Sequence, residues 1–292
     1  MILGIKQRKL KYFIFLLIFL FLFSIISFLQ RKTLNLKSAG NIMYVHYINV
    51  GQGDSILIQV NNKNMLIDSG PKTHKKKLIE FLNSLNISSL DYVIATHPHD
   101  DHIGNMSTIL HTYEVKSFYA PKVYSNTKLF EQMIDSLKSR NLKINSIKRG
   151  CNSIDLGKDV YIDVFSPLND TYDNENNYSP VMKISFGNTS FLFTGDAEKE
   201  IENSIVSLND NINADVLKAG HHGSSTSTSD SFLSAVSPKY TVISVGKNNT
   251  YGHPSKDIIE KLNKRNIYTL RTDKKNNITF ISDGNELKIK YS

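Results

Sequence analysis

The chain has 292 residues, 40% of them hydrophobic, with 15 Phe and 14 Tyr. That is enough apolar material for a sizeable core, and it excludes an intrinsically disordered chain. The single cysteine, Cys151, excludes a disulfide framework and a thiolate zinc site, and reads as a loop or partly buried thiol. The formal net charge of +8 favours anionic partners such as nucleic acid, teichoic acid or phospholipid head groups. Part of that excess lies at Lys6, Arg8, Lys9 and Lys11, while Lys75-Lys76-Lys77 reads as the solvated face of a helix.

Residues 1–11 form a basic flank. Residues 12–29 are uncharged and interrupted only by Ser24 and Ser27. As a helix this run spans roughly 27 Å, close to the thickness of the hydrocarbon core. No A-x-A-type cleavage site follows, so a membrane signal anchor is favoured over a cleaved signal. Four basic residues precede the run, while Arg31, Lys32 and Lys37 follow it, which places the N-terminus in the cytoplasm and the rest outside. The expected location is the cell membrane, single-pass, with an extracytoplasmic catalytic domain. Residues 30–41 read as a polar linker before one domain over 42–292.

Within that domain, period-two and short apolar runs predict strands over 42–50, 55–60, 64–67 and 92–95. Helical spacing appears over 75–85, 103–110 and 129–137. A second β-rich half follows, with strands over 160–165, 181–186, 190–193, 214–218, 241–245, 267–270, 278–281 and 287–291. Gly187-Asn188 marks a tight hairpin. Helices are expected over 198–208, 232–236 and 256–262. Residues 169–178 form a low-complexity polar loop. Two such halves predict an α+β fold with helices outside two packed sheets, an αββα sandwich.

The strongest chemical signal is His97-Pro98-His99-Asp100-Asp101-His102, placed after the strand over 92–95. In extended chain, residues two apart share a side, so His97 and His99 can aim at one ion. Pro98 favours the extended form of His97. Asp101 and His102 open the next helix and present a second pair. Imidazole and carboxylate suit zinc, manganese or iron. Two further apolar strands end in Thr194-Gly195-Asp196 and in Gly220-His221-His222-Gly223. Asp196 there is either a bridging ligand or a helix cap. Three strands ending in His or Asp suggest one shared edge carrying a site.

These residues resemble the metallo-β-lactamase superfamily over about residues 42–290, and more narrowly the hydrolase domain of ComEC-type competence proteins. Supporting phrases are Asn49-Val50-Gly51-Gln52-Gly53-Asp54-Ser55, Leu66-Ile67-Asp68-Ser69-Gly70, Thr194-Gly195-Asp196-Ala197-Glu198, His221-His222-Gly223-Ser224 and Tyr251-Gly252-His253-Pro254. The chain is also similar to phosphorylcholine esterases in its Gly-Asp-x-Glu and His-His-Gly phrases. The resemblance implies two divalent metals, Zn or Mn. His97 and His99 would hold one, Asp101, His102 and His222 the other, and Asp196 would bridge them. His222 is preferred to His221, which would then face substrate with Ser224. Asp68 is either the carboxylate that orients the first histidines or a turn residue. Many relatives carry another His before the bridging Asp, where this chain reads Asn176-Asn177-Tyr178-Ser179-Pro180. The His97/His99 metal would then lack a ligand, making weaker or one-metal binding, or manganese, plausible.

The implied chemistry is hydrolysis by a metal-activated water. Asp101 or Asp196 would receive the proton, and His221 or His253 would protonate the leaving oxygen or bind an anionic one. His253 is equally readable as structural, and Glu198 as either a substrate contact or a first-turn carboxylate. The leading substrate is a phosphodiester, with single-stranded DNA in competence-related processing as the candidate, although one apolar span is no multi-span channel. The alternatives are an esterase for cell-envelope phosphodiesters such as choline phosphate, and a membrane-tethered, metal-containing binding module without turnover. Trp, the best cation–π partner for choline, is absent. β-Lactam hydrolysis rests on fold analogy alone and ranks low.

Overall fold

The computed structural model describes residues 41–292. The basic flank and the membrane segment expected over 12–29 lie outside the described residues, as does all of the linker except Asn41. Among the described residues no helix is long and apolar enough to cross a membrane.

The strands in chain order are β1 (Met43–Tyr47), β2 (Ile56–Val60), β3 (Lys63–Ile67), β4 (Ser89–Ile94), β5 (Glu114–Ala120), β6 (Ile144–Ser146) and β7 (Val160–Val164). They continue as β8 (Met182–Phe186), β9 (Thr189–Phe193), β10 (Val216–Lys218), β11 (Tyr240–Ile243), β12 (Tyr268–Arg271), β13 (Ile278–Ser282) and β14 (Leu287–Tyr291). One sheet has the order β14-β13-β1-β2-β3-β4-β5-β6, the other β12-β11-β10-β9-β8-β7. Strands β3 to β6 run parallel, as do β9 to β12, and the remaining pairs are antiparallel. The Gly187-Asn188 hairpin forms as expected, with Phe186 opposite Thr189.

The period of two in each strand builds the layers. Ile56 and Ile58 of β2 face a central cluster that includes Phe191 and Phe193 of β9, so the two sheets pack on each other. Leu57 and Leu66 point the other way, onto Leu78, Leu82 and Ile109 of the helices Lys75–Ser84 and Met106–Thr112. Leu192, Leu217 and Ile243 do the same against Ile201, Ile205, Phe232 and Ile258 on the opposite side. Strands buried on both faces need near-continuous apolar runs, which these have. Each large apolar side chain so buried contributes about 2 kcal/mol. The expected αββα sandwich is therefore the observed architecture.

Asparagine finishes the helices. Asn86, Asn141, Asn209 and Asn266 each follow a helix and take left-handed φ between 54° and 55°. Asn tolerates that conformation, normally a glycine position, because its amide bonds locally. Thr127, Ser229 and Ser255 supply the opposite ends, each accepting a backbone N–H at 3.3 Å.

Two strands, the short helix Thr272–Lys275 and one helix boundary depart from the expectation. Neither β5 nor β6 is predicted, and the helix expected over 103–110 is two short helices, Asp100–Ile103 and Met106–Thr112. The break lets the Asn105 amide donate to the carbonyls of Ser69 and Pro71 at 2.9 and 2.8 Å. Gly104 makes room, since a Cβ there would lie 2.6 Å from the Lys72 nitrogen.

His46 on β1 sets an acid limit. It is buried between the Tyr44 and Phe81 rings and bonds Gln59 Oε1 at 3.1 Å and Thr279 Oγ1 at 2.8 Å. Burial lowers its pKa to about 4, against a smaller opposing pull from Gln59. Above its ordinary value of 6.5 this costs nothing. As pH falls from there toward 4 the unfolded chain takes up the proton first, and stability drops by about 2–3 kcal/mol. Urea unfolding at pH 7 and pH 4.5 should show this loss in the wild type and a smaller one in His46→Gln. Equal losses would remove His46 from the account.

Candidate metal centre

Each segment carrying a predicted ligand leaves the C-terminal end of a strand. After β4 the chain passes through His97 and Pro98 to His99, which is extended (φ −70°, ψ 148°) and precedes the helix Asp100–Ile103. Asp101 and His102 sit on that helix. Asp196 follows β9 through Gly195, whose φ is +49°. A Cβ on Gly195 would lie 2.8 Å from the Ser179 side chain, so glycine permits this approach. Ser179 Oγ accepts the Asp196 N–H at 3.0 Å. After β10, His221 and His222 both adopt left-handed conformations, with φ of 47° and 53°. Two such residues in succession cost about 1–3 kcal/mol each, a strain characteristic of functional sites.

The three segments converge, but not on one sheet edge. The His97 segment comes from the first sheet, whereas Asp196 and His222 come from the second, and all meet at one end of the sandwich. His97 Nε2 and His99 Nδ1 are 3.0 Å apart. One oxygen, Asp196 Oδ2, lies 3.3 Å from both His102 Nε2 and His222 Nε2, 3.8 Å from His221 Nε2 and 4.0 Å from His97 Nε2. Asp101 Oδ2 is 3.2 Å from His222 Nε2.

Hydrogen bonds behind the imidazoles fix which nitrogen faces inward. His222 Nδ1 donates to the Ser244 carbonyl at 2.9 Å, and His102 Nδ1 to Asp68 Oδ2 at 2.8 Å. Their Nε2 atoms are buried and have no hydrogen-bond partner among the described residues, and the same holds for Asp196 Oδ1. Orphaned polar atoms of this kind are costly unless something satisfies them. Imidazole nitrogens and carboxylate oxygens closing on one point form a donor set that fits a divalent metal. Asp68 orients His102 directly and reaches His97 only through Thr96, whose Oγ1 bonds Asp68 at 2.7 Å and His97 Nδ1 at 3.0 Å. The expectation that Asp68 orients the first histidines is corrected to that extent.

Beneath Asp196 lies a buried charge pair not singled out from sequence. Lys218, fully buried at the end of β10, contacts Asp54 Oδ2 at 2.5 Å and Asp196 Oδ1 at 3.6 Å, and donates to the Gly195 carbonyl at 2.8 Å. Burial disfavours its ammonium, yet Asp54 and then Asp196 hold its pKa above the ordinary value. Asp54 is placed by Gly53 (φ +136°), where a Cβ would fall 2.2 Å from the Asp101 carbonyl. The available signal was a cation ending the apolar strand Val216-Leu217-Lys218, since a buried lysine must be paired.

The carboxylates and imidazoles of the cluster set one another's charge. Burial opposes charge on His222, but Asp196 and Asp101 raise its pKa to about 10, and His102 is likewise raised well above its usual value. Burial also opposes charge on Asp101 and Asp196, which His102 and His222 nonetheless hold below the usual carboxylate range. Four carboxylates, Asp54, Asp68, Asp101 and Asp196, share the region with one ammonium.

A cleft of about 650 Å³ opens onto the cluster, lined among others by Asn176, His221, Ser224, Tyr251 and His253. His221 and His253 face each other with ring centroids 5.6 Å apart, and burial lowers both pKa values. Glu198 is not part of the lining. It stands behind, 3.4 Å from His221 Nδ1 and accepting from Asn176 Nδ2 at 3.2 Å and Thr226 Oγ1 at 3.0 Å. Of the two readings of Glu198, its place at the N-cap of the helix Lys199–Ser207 agrees with the helix-start carboxylate, and from there it holds two side chains of the cleft.

Two sheets lie between helices, with a His/Asp cluster able to hold a metal ion at one end, the arrangement of a metalloprotein of the αββα class. Residues 48–247 match the model of the metallo-beta-lactamase superfamily, and the chain belongs to that superfamily. It is 35% identical over 254 residues to ComE operon protein 3 of Bacillus subtilis, covering 81% of this chain and 32% of that protein. It is 28% identical over 225 residues to competence protein ComA of Neisseria gonorrhoeae, covering 76% and 30%. The chain thus spans about a third of the length of these relatives. The metallo-beta-lactamase fold protein YhfI of Bacillus subtilis shares the fold, with a TM-score of 0.53 and 14% identity over 79% of this chain and 95% of that one. The family resemblance read from the motifs is borne out.

Proposed function

We propose that the chain is a phosphodiesterase holding two divalent cations, Zn or Mn, and that it acts on single-stranded DNA. The observation that carries the reading is the pair of inward, orphaned Nε2 atoms of His102 and His222 around Asp196. His97 and His99 would hold one cation, Asp101, His102 and His222 the other, and Asp196 would serve both. The excess of carboxylates over the single Lys218 supports more than one divalent charge. Such cations activate water and stabilise charge developing on phosphoryl oxygens.

The chain's own residues then bind, orient and move protons. Asp101 accepts the proton released by the attacking water. Glu198 lies 3.4 Å from Nδ1 of His221, so that Nε2 faces the cleft, where the imidazolium form of His221 would protonate the leaving oxygen. The side-chain amide of Asn249, donating from Nδ2 to the His253 carbonyl and accepting the His253 N–H on Oδ1, holds His253 beside it, where it would bind an anionic oxygen. Similarity to proteins named for competence supports DNA as substrate, as does the net charge of +8. Residues 12–29 would anchor this domain outside the cell membrane.

Tyr251 offers a way to separate DNA from small esters. It lines the cleft, is 68% exposed and stacks on His253 with ring centroids 5.9 Å apart. An exposed ring at a cleft mouth is a platform for an unstacked base, with stacking worth about 1–3 kcal/mol. Tyr251→Ala should raise KM for a single-stranded oligonucleotide by about tenfold and leave hydrolysis of bis-p-nitrophenyl phosphate unchanged. Hydrolysis of the small ester but not of DNA by the wild type would redirect the assignment to an envelope phosphodiester. Metal binding with no turnover on either would make the domain a binding module.

A further inference from the structure

The segment between β7 and β8 wraps the first pair of histidines. Glu175 Oε2 lies 3.2 Å from His99 Nε2, and Ser179 Oγ lies 3.3 Å from His97 Nδ1. Each thus occupies the outer nitrogen of one imidazole. The two inner nitrogens, His97 Nε2 and His99 Nδ1, are left 3.0 Å apart on the cluster side. Asn176 sits between Glu175 and Ser179 in the chain, lines the same cleft and is 6% exposed.

The orientation of its amide follows from its partners. Asn176 Nδ2 donates to Glu198 Oε1 at 3.2 Å, and an ionised carboxylate can only accept. The NH₂ group must therefore face Glu198, and the carbonyl oxygen must face away from it. That oxygen, Asn176 Oδ1, is buried and has no hydrogen-bond partner among the described residues. Glu198 is itself held by Thr226 Oγ1, and its backbone N–H by Asn177 Oδ1, so the amide cannot turn over freely.

We infer that Asn176 supplies its carboxamide oxygen as the third protein ligand of the cation held by His97 and His99. The inference rests on the two-cation reading above. It accounts for the orphaned oxygen and for a chain with no His in this segment. A neutral amide oxygen is a harder and weaker donor than imidazole, so this position should favour manganese over zinc more than the Asp101/His102/His222 position does.

The test is metal binding by the full-length protein, using equilibrium dialysis against Mn²⁺ and Zn²⁺ with elemental analysis. The wild type should bind two equivalents, one more weakly. Asn176→Ala should weaken the weaker Mn²⁺ equivalent by about tenfold or more and leave the tighter one unchanged. Asn176→His should strengthen Zn²⁺ there by about tenfold, inverting the preference. Should Asn176→Ala not fold, the near-isosteric Asn176→Asp decides alone, because a carboxylate ligand should tighten Mn²⁺ binding by about tenfold. Unchanged affinities in these variants would overturn the inference, as would a change confined to the KM for substrate, which would make Asn176 a substrate contact. A wild type that binds no metal would instead sink the two-cation reading itself.

Discussion

Lys218→Met is expected to destabilise the protein by about 3–5 kcal/mol, because it strands the buried carboxylates of Asp54 and Asp196 without their cation. The ammonium lies at the end of a strand that is otherwise apolar, and water cannot take its place there. Asp54→Asn combined with Lys218→Met should recover part of the loss, since removing both charges is cheaper than removing one. Denaturant unfolding of the two single variants and the double variant gives the coupling directly. The penalty should be flat from pH 6 to 9, because the folded pKa of Lys218 lies above its ordinary 10.5 and its contribution fades only at higher pH. A Lys218→Met protein as stable as the wild type would mean that the pair contributes nothing to the fold.

The other large effect concerns Asp196 and His222. The double variant Asp196→Ala/His222→Ala should lose bound Zn²⁺ or Mn²⁺. Hydrolysis of bis-p-nitrophenyl phosphate should fall at least a hundredfold, since even residues behind metal ligands commonly cost 10–100-fold. Asp196 Oδ2 is within 4.0 Å of four imidazoles, so its loss removes an oxygen that all of them approach. Elemental analysis and the rate with added metal are read together. Metal retained at wild-type stoichiometry would contradict the ligand assignment, and activity retained without metal would contradict the mechanism.

The ligand candidates were legible because each follows an apolar strand, and the strands were legible because both of their faces are buried. Phe191-Leu192-Phe193 places alternate side chains in two different cores, so nothing polar interrupts it. Strand β5 escaped notice because Glu114, Lys116 and Ser117 dilute its apolar positions. Strand β6 is three exposed residues with no pattern to detect. The shared edge was read as one, whereas the ligands come from two sheets, since spacing along the chain carries no information about which sheet a strand joins. Lys218 and Asp54 were hidden for a related reason. They lie far apart in sequence, and each is unremarkable until the other is placed 2.5 Å away. Glu198 illustrates a third limit, because composition cannot separate a residue that faces the cleft from one that holds its wall.

The meeting of both sheets at the cluster has a consequence for the lifetime of the protein. A cation held by the segment after β4 and by the ends of β9 and β10 would rivet one half of the sandwich to the other. Binding only to the folded state adds stability by mass action, about 2.7 kcal/mol at a hundred times the dissociation constant. Molecules charged with metal would resist proteases, while those starved of it would open and be cleared. The abundance of the protein, and not only its activity, would then track the metal supply of its surroundings.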